Sequence, residues 1–196
     1  QVSRLYRLTR NNSIKDMQMN FSNELNIRER HRLNFGLNYS HLLVKNRAQI
    51  EDLNETEQTT IPPSAKGNIT SIYLEDHFRL NSKIRLVPGI RMTYSDLNKT
   101  FYYAPRFALN YNITSHLELK GALGKYIQLI REIPFDDPLS NVQGGYFLAS
   151  KSKTDVYQID ALQSTHFIAG IQFSRNNLII DLEYFNKDNQ GLNEML

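Results

Sequence analysis

The sequence predicts an all-β fold, an antiparallel transmembrane β-barrel or a slice of one. Three observations predict it. Apolar residues fall on every second position in segment after segment, which is the side-chain period of a strand. Short and long connections alternate along the chain. Many segments reach about 10–14 residues, which suits a tilted membrane crossing better than the shorter strands of soluble sheets.

In chain order, strands are expected at 2–9, 14–27, 31–44, 69–80, 83–94, 101–113, 117–126, 166–173 and 178–186. In the second, Met17, Met19, Phe21, Leu25 and Ile27 alternate with Asp16, Gln18, Asn20 and Ser22. Arg28-Glu29-Arg30 breaks the rhythm, and Leu33, Phe35, Leu37, Tyr39 and Leu43 resume it. Ile72, Leu74, Phe78 and Leu80 carry the next strand, with Asp76 interrupting its apolar side. Asn81-Ser82 turns the chain into Ile84, Leu86, Ile90 and Met92. Phe107, Leu109, Tyr111 and Ile113 form one arm of a hairpin through Thr114-Ser115-His116, and Leu117, Leu119 and Leu123 form the other. Phe167, Ala169, Ile171 and Phe173 lead through 174–177 to Leu178, Ile180, Leu182 and Tyr184. Strand signals bounded by short polar turns are the mark of antiparallel hairpins.

The four hairpin turns are tight, whereas 45–67, 95–100 and 127–165 read as long polar connections. Outer-membrane barrels alternate short periplasmic turns with long external loops, while compact soluble domains rarely hold long structureless loops. Tyr39, Tyr94, Phe101, Tyr103, Tyr111 and Tyr184 are read as lying toward the long-loop ends, where an interfacial aromatic girdle belongs. The expected strands number about nine or ten, and barrels of this kind leave no open edge, so the chain reads as part of a larger barrel with one strand unrecognised, for example in 145–160. The opening residues show no charged start followed by a greasy stretch, so the chain is read as a mature start or a piece of something longer.

Composition sets the exclusions. Of 196 residues, 40% are hydrophobic and 22% charged, which is ordinary enough that patterning must decide which solvent the apolar face meets. The net charge of +3 is dispersed, so no nucleic-acid partner is expected. There is no cysteine, hence no disulfide and no thiolate metal site. No apolar run approaches the roughly 18 residues of a membrane-spanning helix.

Longer stretches resemble the barrel of TonB-dependent outer-membrane receptors. "YLEDHFRLNSKIRLVPGIRMTYSD" (73–96) holds a Tyr-x-x-Asp strand, a short turn and a Pro-Gly-x-Arg strand. "APRFALNYNITSHLELKGALGKYIQ" (104–128) is similar to the next part of that family, an Ala-Pro-Arg strand before a hairpin ending in Gly-x-Tyr. "STHFIAGIQFSRNNLIIDLEYFNKDNQGL" (164–192) resembles the hairpin after that. The resemblance is clear over 68–196 and rests on rhythm alone before that. It implies a slice of a 22-stranded barrel that encloses a plug. It also implies residence in the bacterial outer membrane, and import of a siderophore, vitamin or oligosaccharide with energy passed by a TonB–ExbB–ExbD complex. Implied partners are outer-membrane lipid, the plug of the full-length chain and a surface lipoprotein. No plug, TonB-contacting segment or aromatic-ended closing strand is visible in these residues.

No catalytic motif is expected, and no cofactor. The five histidines, His31, His41, His77, His116 and His166, lack metal-ligand spacing. Asp136-Asp137 with Glu132 is read as a solvated acidic turn rather than a calcium site. If the apolar faces touch lipid, Lys83, Arg85, Arg91, Arg106 and Lys120 face the lumen or a plug, together with Glu118, Asp181 and Glu183. Ligand contact is expected in the external loops, from Tyr126, Arg131, Tyr146, Phe147 and Tyr157, because binding residues concentrate on loops held by a rigid scaffold. Two other readings compete. A soluble antiparallel binding module would bury Phe107, Leu109, Leu117, Leu119 and Ile171 in one core. A passive porin-like barrel would need neither plug nor TonB partner.

Overall fold

The computed structural model describes residues 6–52, 58–61, 64–133, 145–149 and 160–191. Every element in them is a strand: β1 (Tyr6–Ile27), β2 (His31–Asp52), β3 (Gln58–Ile61), β4 (Ser64–Arg79), β5 (Ile84–Ser95), β6 (Thr100–Asn112), β7 (Leu117–Gln128), β8 (Ile130–Ile133), β9 (Gly145–Leu148), β10 (Leu162–Arg175) and β11 (Leu178–Gln190). The main sheet runs β1-β2-β4-β5-β6-β7-β10-β11, with β3 on upper β2, and β8 pairs β9 in a separate hairpin. All pairings are antiparallel. The sheet is an open arc with β1 and β11 at its edges, the shape of part of a barrel wall.

Four turns cluster at one end of the arc and bond to one another. Arg79 N–H donates to Arg30 C=O (2.8 Å), Asn112 N–H to Lys83 C=O (2.8 Å) and Ser174 N–H to His116 C=O (2.7 Å). Arg28 and Asn176 hold left-handed backbones (φ 56° and 51°), which these tight turns require. The other connections, the short one between β5 and β6 included, leave the other end.

The register sorts side chains into two faces. Phe21 pairs with Leu37, Leu37 with Ile72, and Ile72 with Met92. Farther along, Leu86 pairs with Leu109, Phe107 with Leu123, and Leu123 with Phe167. This outer face is apolar, and nothing in the described chain covers it. Met19 is 69% exposed and Leu182 70%. Phe107, Leu119 and Ile171, which a soluble module would bury, are 45%, 38% and 38% exposed. Exposed apolar area of this extent belongs against lipid, because soluble monomers keep such patches small. Asp76 falls on this face near the short-turn end, where His31 Nδ1 lies 2.7 Å from its carboxylate and His31 stacks on Phe78 (ring centroids 4.4 Å apart). A paired acid near the end of a strand avoids the cost of a bare charge at the bilayer midplane.

Several elements differ from the sequence reading. The strands expected at 2–9 and 14–27 are one strand, β1, because upper β2 pairs it continuously through Arg10↔Ala48 and Ser13↔Lys45. The connection expected over 95–100 is the four-residue turn Asp96–Lys99 between the paired residues Ser95 and Thr100, and Asp96 N–H ties it to Asn68 C=O of β4 (3.1 Å). The 45–67 connection is shortened by the extension of β2 to Asp52 and the start of β4 at Ser64. The strand sought in 145–160 exists as β9, but it pairs with β8, so among the described residues the path of the wall has eight strands, with β3 beside β2. Tyr111 lies beside the short-turn end of β6, one residue from Asn112, so it does not belong with the long-loop aromatics. On the outer face at the long-loop end, Tyr94 and Phe101 do meet (4.7 Å between centroids).

Among the described residues, a protein-like core forms only where β8–β9 folds onto the inner face at the long-loop end. Leu42 (2% exposed), Val44 (1%) and Leu148 (4%) pack together there, with Ala65, Ile69 and Leu97 around them. Tyr102, Leu129, Ala149 and Ala161 form a second cluster alongside. Lower on the inner face, Gly36 lies directly opposite Tyr73. A Cβ at Gly36 would stand 2.7 Å from the Tyr73 ring, so the ring covers a glycine that only a hydrogen can fit.

Candidate functional site

The inner face carries the polar half of the alternation, and the strands set it out in layers. In the middle layer β5 supplies Arg91 and β6 supplies Arg106, whose register partners are Ala104 and Gly89. Arg106 has a glycine opposite it on both sides, Gly89 and Gly124, while Arg91 has Ala104 on one side and Tyr73 on the other. The Arg106 guanidinium sits over the Tyr126 ring at 4.7 Å, a cation–π contact. Tyr126 in turn packs on His166 (4.4 Å between centroids).

Two recesses share these arginines. One, of about 610 Å³, lies between Arg91 and Arg106 and the polar residues Ser22, Glu24, Tyr73 and Glu75. The other, of about 550 Å³, lies under the β8–β9 hairpin, with Asp16, Ser40, Tyr126, Glu132 and Tyr146 around the same two arginines. The Arg91 Nε is buried without a hydrogen-bond partner among the described residues. A buried donor left unpaired costs roughly 1–3 kcal/mol, so this atom favours an incoming acceptor.

The hairpin that roofs the second recess is held by Asn46 of β2. Its amide donates to Tyr146 C=O (2.6 Å), and its carbonyl accepts from Tyr146 N–H (3.0 Å). A side-chain amide that mimics a strand pairing in this way fixes the hairpin in register over the wall. At the other side, Arg131 Nη1 donates to Gly191 C=O (2.7 Å).

The residues singled out from the sequence fall as follows. By register, Arg85, Arg91, Arg106 and Lys120 lie on the inner face, and the structure brings only Arg91 and Arg106 together. Lys120 forms an ion pair with Asp181 (3.0 Å), while neighbouring Glu118 accepts from Asn110 (2.7 Å). Arg85 stands opposite Arg79 at the short-turn rim. Lys83 sits in the turn before β5, its N–H on Asn81 Oδ1 (2.8 Å). Of the expected loop residues, Tyr126 is on the wall strand β7, Arg131 on β8, and Tyr146 and buried Phe147 on β9. Tyr157 lies outside the described residues. The sequence reading did not select Asn46, Tyr73 or Glu75. The run Leu42-Leu43-Val44 was the available signal for Asn46, because apolar residues on both sides of a strand mark a stretch covered on both faces.

The chain matches the family described as "TonB dependent receptor-like, beta-barrel" over residues 2–192. Among solved structures it is similar to the ferric enterobactin receptor of Pseudomonas aeruginosa, with 16% identity and a TM-score of 0.65 over 91% of this chain and 27% of that one. It is similar to the siderophore receptor PirA of Acinetobacter baumannii at 13% identity and a TM-score of 0.62, covering 91% of this chain and 27% of that one. It is similar to the RagAB peptide transporter at 12% identity and a TM-score of 0.52, covering 92% and 24%. These likenesses concern the fold. The chain spans about a quarter of the length of those proteins. No curated protein resembles it closely enough to match.

Proposed function

Because the chain belongs to the TonB-dependent receptor β-barrel family, we propose that it forms wall and outer-end binding surface of a nutrient import receptor in the outer membrane of a Gram-negative bacterium. Family and fold are those of transport receptors rather than enzymes. In this reading the apolar face contacts lipid, the inner face surrounds a plug, and TonB with ExbB and ExbD supplies the energy. The observation that carries it is the two-faced register. An apolar row exposed from β1 to β11 is stable in a bilayer, while the charged row on its reverse needs water or protein.

The recess under β8–β9 is the proposed solute-contacting surface. Two guanidinium groups, one whose Nε has no partner among the described residues, suit an anionic or oxygen-rich solute, and Tyr126 and Tyr146 offer ring faces beside them. A siderophore, a vitamin or an oligosaccharide supplies such groups. The full-length protein tests this directly. Cells lacking it are expected to lose growth on one such scarce nutrient, with rescue that requires TonB and falls at least tenfold in the Arg91→Ala, Arg106→Ala double variant. Recovery of the protein in the soluble fraction, or rescue independent of TonB, would overturn the reading.

A further inference from the structure

The β8–β9 hairpin is held unequally along its length. Its base is part of the wall's packing. β8 starts at Ile130, one residue after β7 ends at Gln128. Between them, Leu129 is buried with Tyr102, Ala149 and Ala161, and its C=O accepts from Ala149 N–H (2.7 Å). Beyond the base the attachments among the described residues are few. Leu148 packs beside Leu42 and Val44, and Asn46 holds both Tyr146 main-chain groups. Asn46 is 5% exposed, so water does not compete for these two bonds. On the other strand the Arg131–Gly191 bond is exposed, and water can replace it.

What lies beneath is polar. Ser40 and Ser71, on the floor of the roofed recess, are buried, whereas Asn34, in the unroofed recess next to it, is partly exposed. Arg91 and Arg106 stand where the two recesses meet. The hairpin therefore lies between the long-loop end and the two arginines. A two-stranded hairpin with four residues in each strand has little stability of its own. Its position depends on what it touches. Lifting the Tyr146 end breaks two hydrogen bonds and loosens the Leu148 contact, while the buried base at Leu129 stays in place. Local openings of that size lie at the low end of a protein's stability range.

We propose that β8–β9 is a hinged cover, pivoting at Leu129 and latched shut by Asn46. A solute arriving from the long-loop end reaches Arg91 and Arg106 after Asn46 releases Tyr146. The solute belongs to the receptor reading, on which this rests, and the latch adds the step that admits it. Asn46 does not line the recess. It acts through Tyr146 and is a positioning residue.

The test uses the full-length receptor in detergent, free of cysteine apart from one reporter, with N-ethylmaleimide as the probe. Ser71→Cys reports the covered floor, and Asn34→Cys reports the uncovered recess. Each reporter is combined with Asn46→Ala and, separately, with Leu148→Ala. Labelling at position 71, followed by mass spectrometry, is expected to speed up roughly tenfold with Asn46→Ala and several-fold with Leu148→Ala. Labelling at position 34 is expected to keep its rate. Unchanged labelling at 71 with Asn46→Ala overturns the latch, whatever Leu148→Ala does. A parallel rise at 34 overturns it too, because general loosening would then explain both. Growth rescue that depends on TonB, measured with the unsubstituted protein, tests the receptor reading separately. Rescue retained with unchanged labelling removes the cover alone. Rescue absent removes the receptor reading, while the labelling still decides whether the hairpin is hinged.

Discussion

The two ends of the arc solve different problems with the same alternating strands. At the short-turn end the strands stop in turns of a few residues, tied to one another through Arg30, Lys83 and His116, and the inner face is charged, with nothing among the described residues covering it. At the long-loop end β8–β9 folds back onto the wall, and the buried apolar residues gather there, Leu42, Val44 and Leu148 among them. The difference teaches that the sheet's main apolar face is not its core. Lipid takes the place of a core along the outer face, and protein-like packing appears only where a hairpin supplies a second layer.

The largest effect that would break this comparison comes from charge on the lipid side. Leu123→Arg, on the outer face between Phe107 and Phe167, is expected to cost about 2–4 kcal/mol, and Ala122→Arg, one position along on the inner face, under about 1 kcal/mol. Denaturant unfolding of the vesicle-inserted full receptor reads both. Equal costs would remove the distinction between the faces.

Next in size is the covered end. Leu42→Ala removes a fully buried side chain beneath β9 and is expected to cost about 2–5 kcal/mol of local stability, seen as faster protease cleavage within the β8–β9 region while the short-turn end stays resistant. Asn46→Ala leaves both Tyr146 main-chain groups without their partner and should cost about 1–3 kcal/mol by the same assay. An unchanged cleavage rate in both variants would mean that the hairpin is held by something other than these contacts. The smallest effect is expected at Lys120→Met. Its partly exposed pair with Asp181 is screened by solvent, so the unfolding midpoint should barely move, and move less still in high salt.

Much of the wall was legible because a membrane imposes a strict period of two. Phe107 to Leu123 and Phe167 to Leu182 could be assigned a face before any coordinates. Legibility ended where the membrane does. Arg10-Asn11-Asn12-Ser13 and Lys45-Asn46-Arg47 continue their strands, yet both faces there are polar, so no alternation marks them. The β8–β9 hairpin was hidden for a related reason. Its strands are four residues each, too short to show a period, and the long-range Asn46–Tyr146 pairing that seats them leaves no local trace. Of the candidate site, the inner-face arginines followed from parity. The meeting of Arg91 and Arg106 over Tyr126 depends on which strands are neighbours, and so on the whole topology.

One measurement reaches the central claim most directly. Residues 1–196 hold no cysteine, and in a vesicle-inserted receptor kept free of cysteine elsewhere, single cysteines placed in turn at 117–124 can carry a fluorophore. Lipid-borne quenchers should act on 117, 119, 121 and 123, and water-borne quenchers on 118, 120, 122 and 124. A reversed pattern, or quenching without a period of two, would contradict the assignment of lipid to the apolar row.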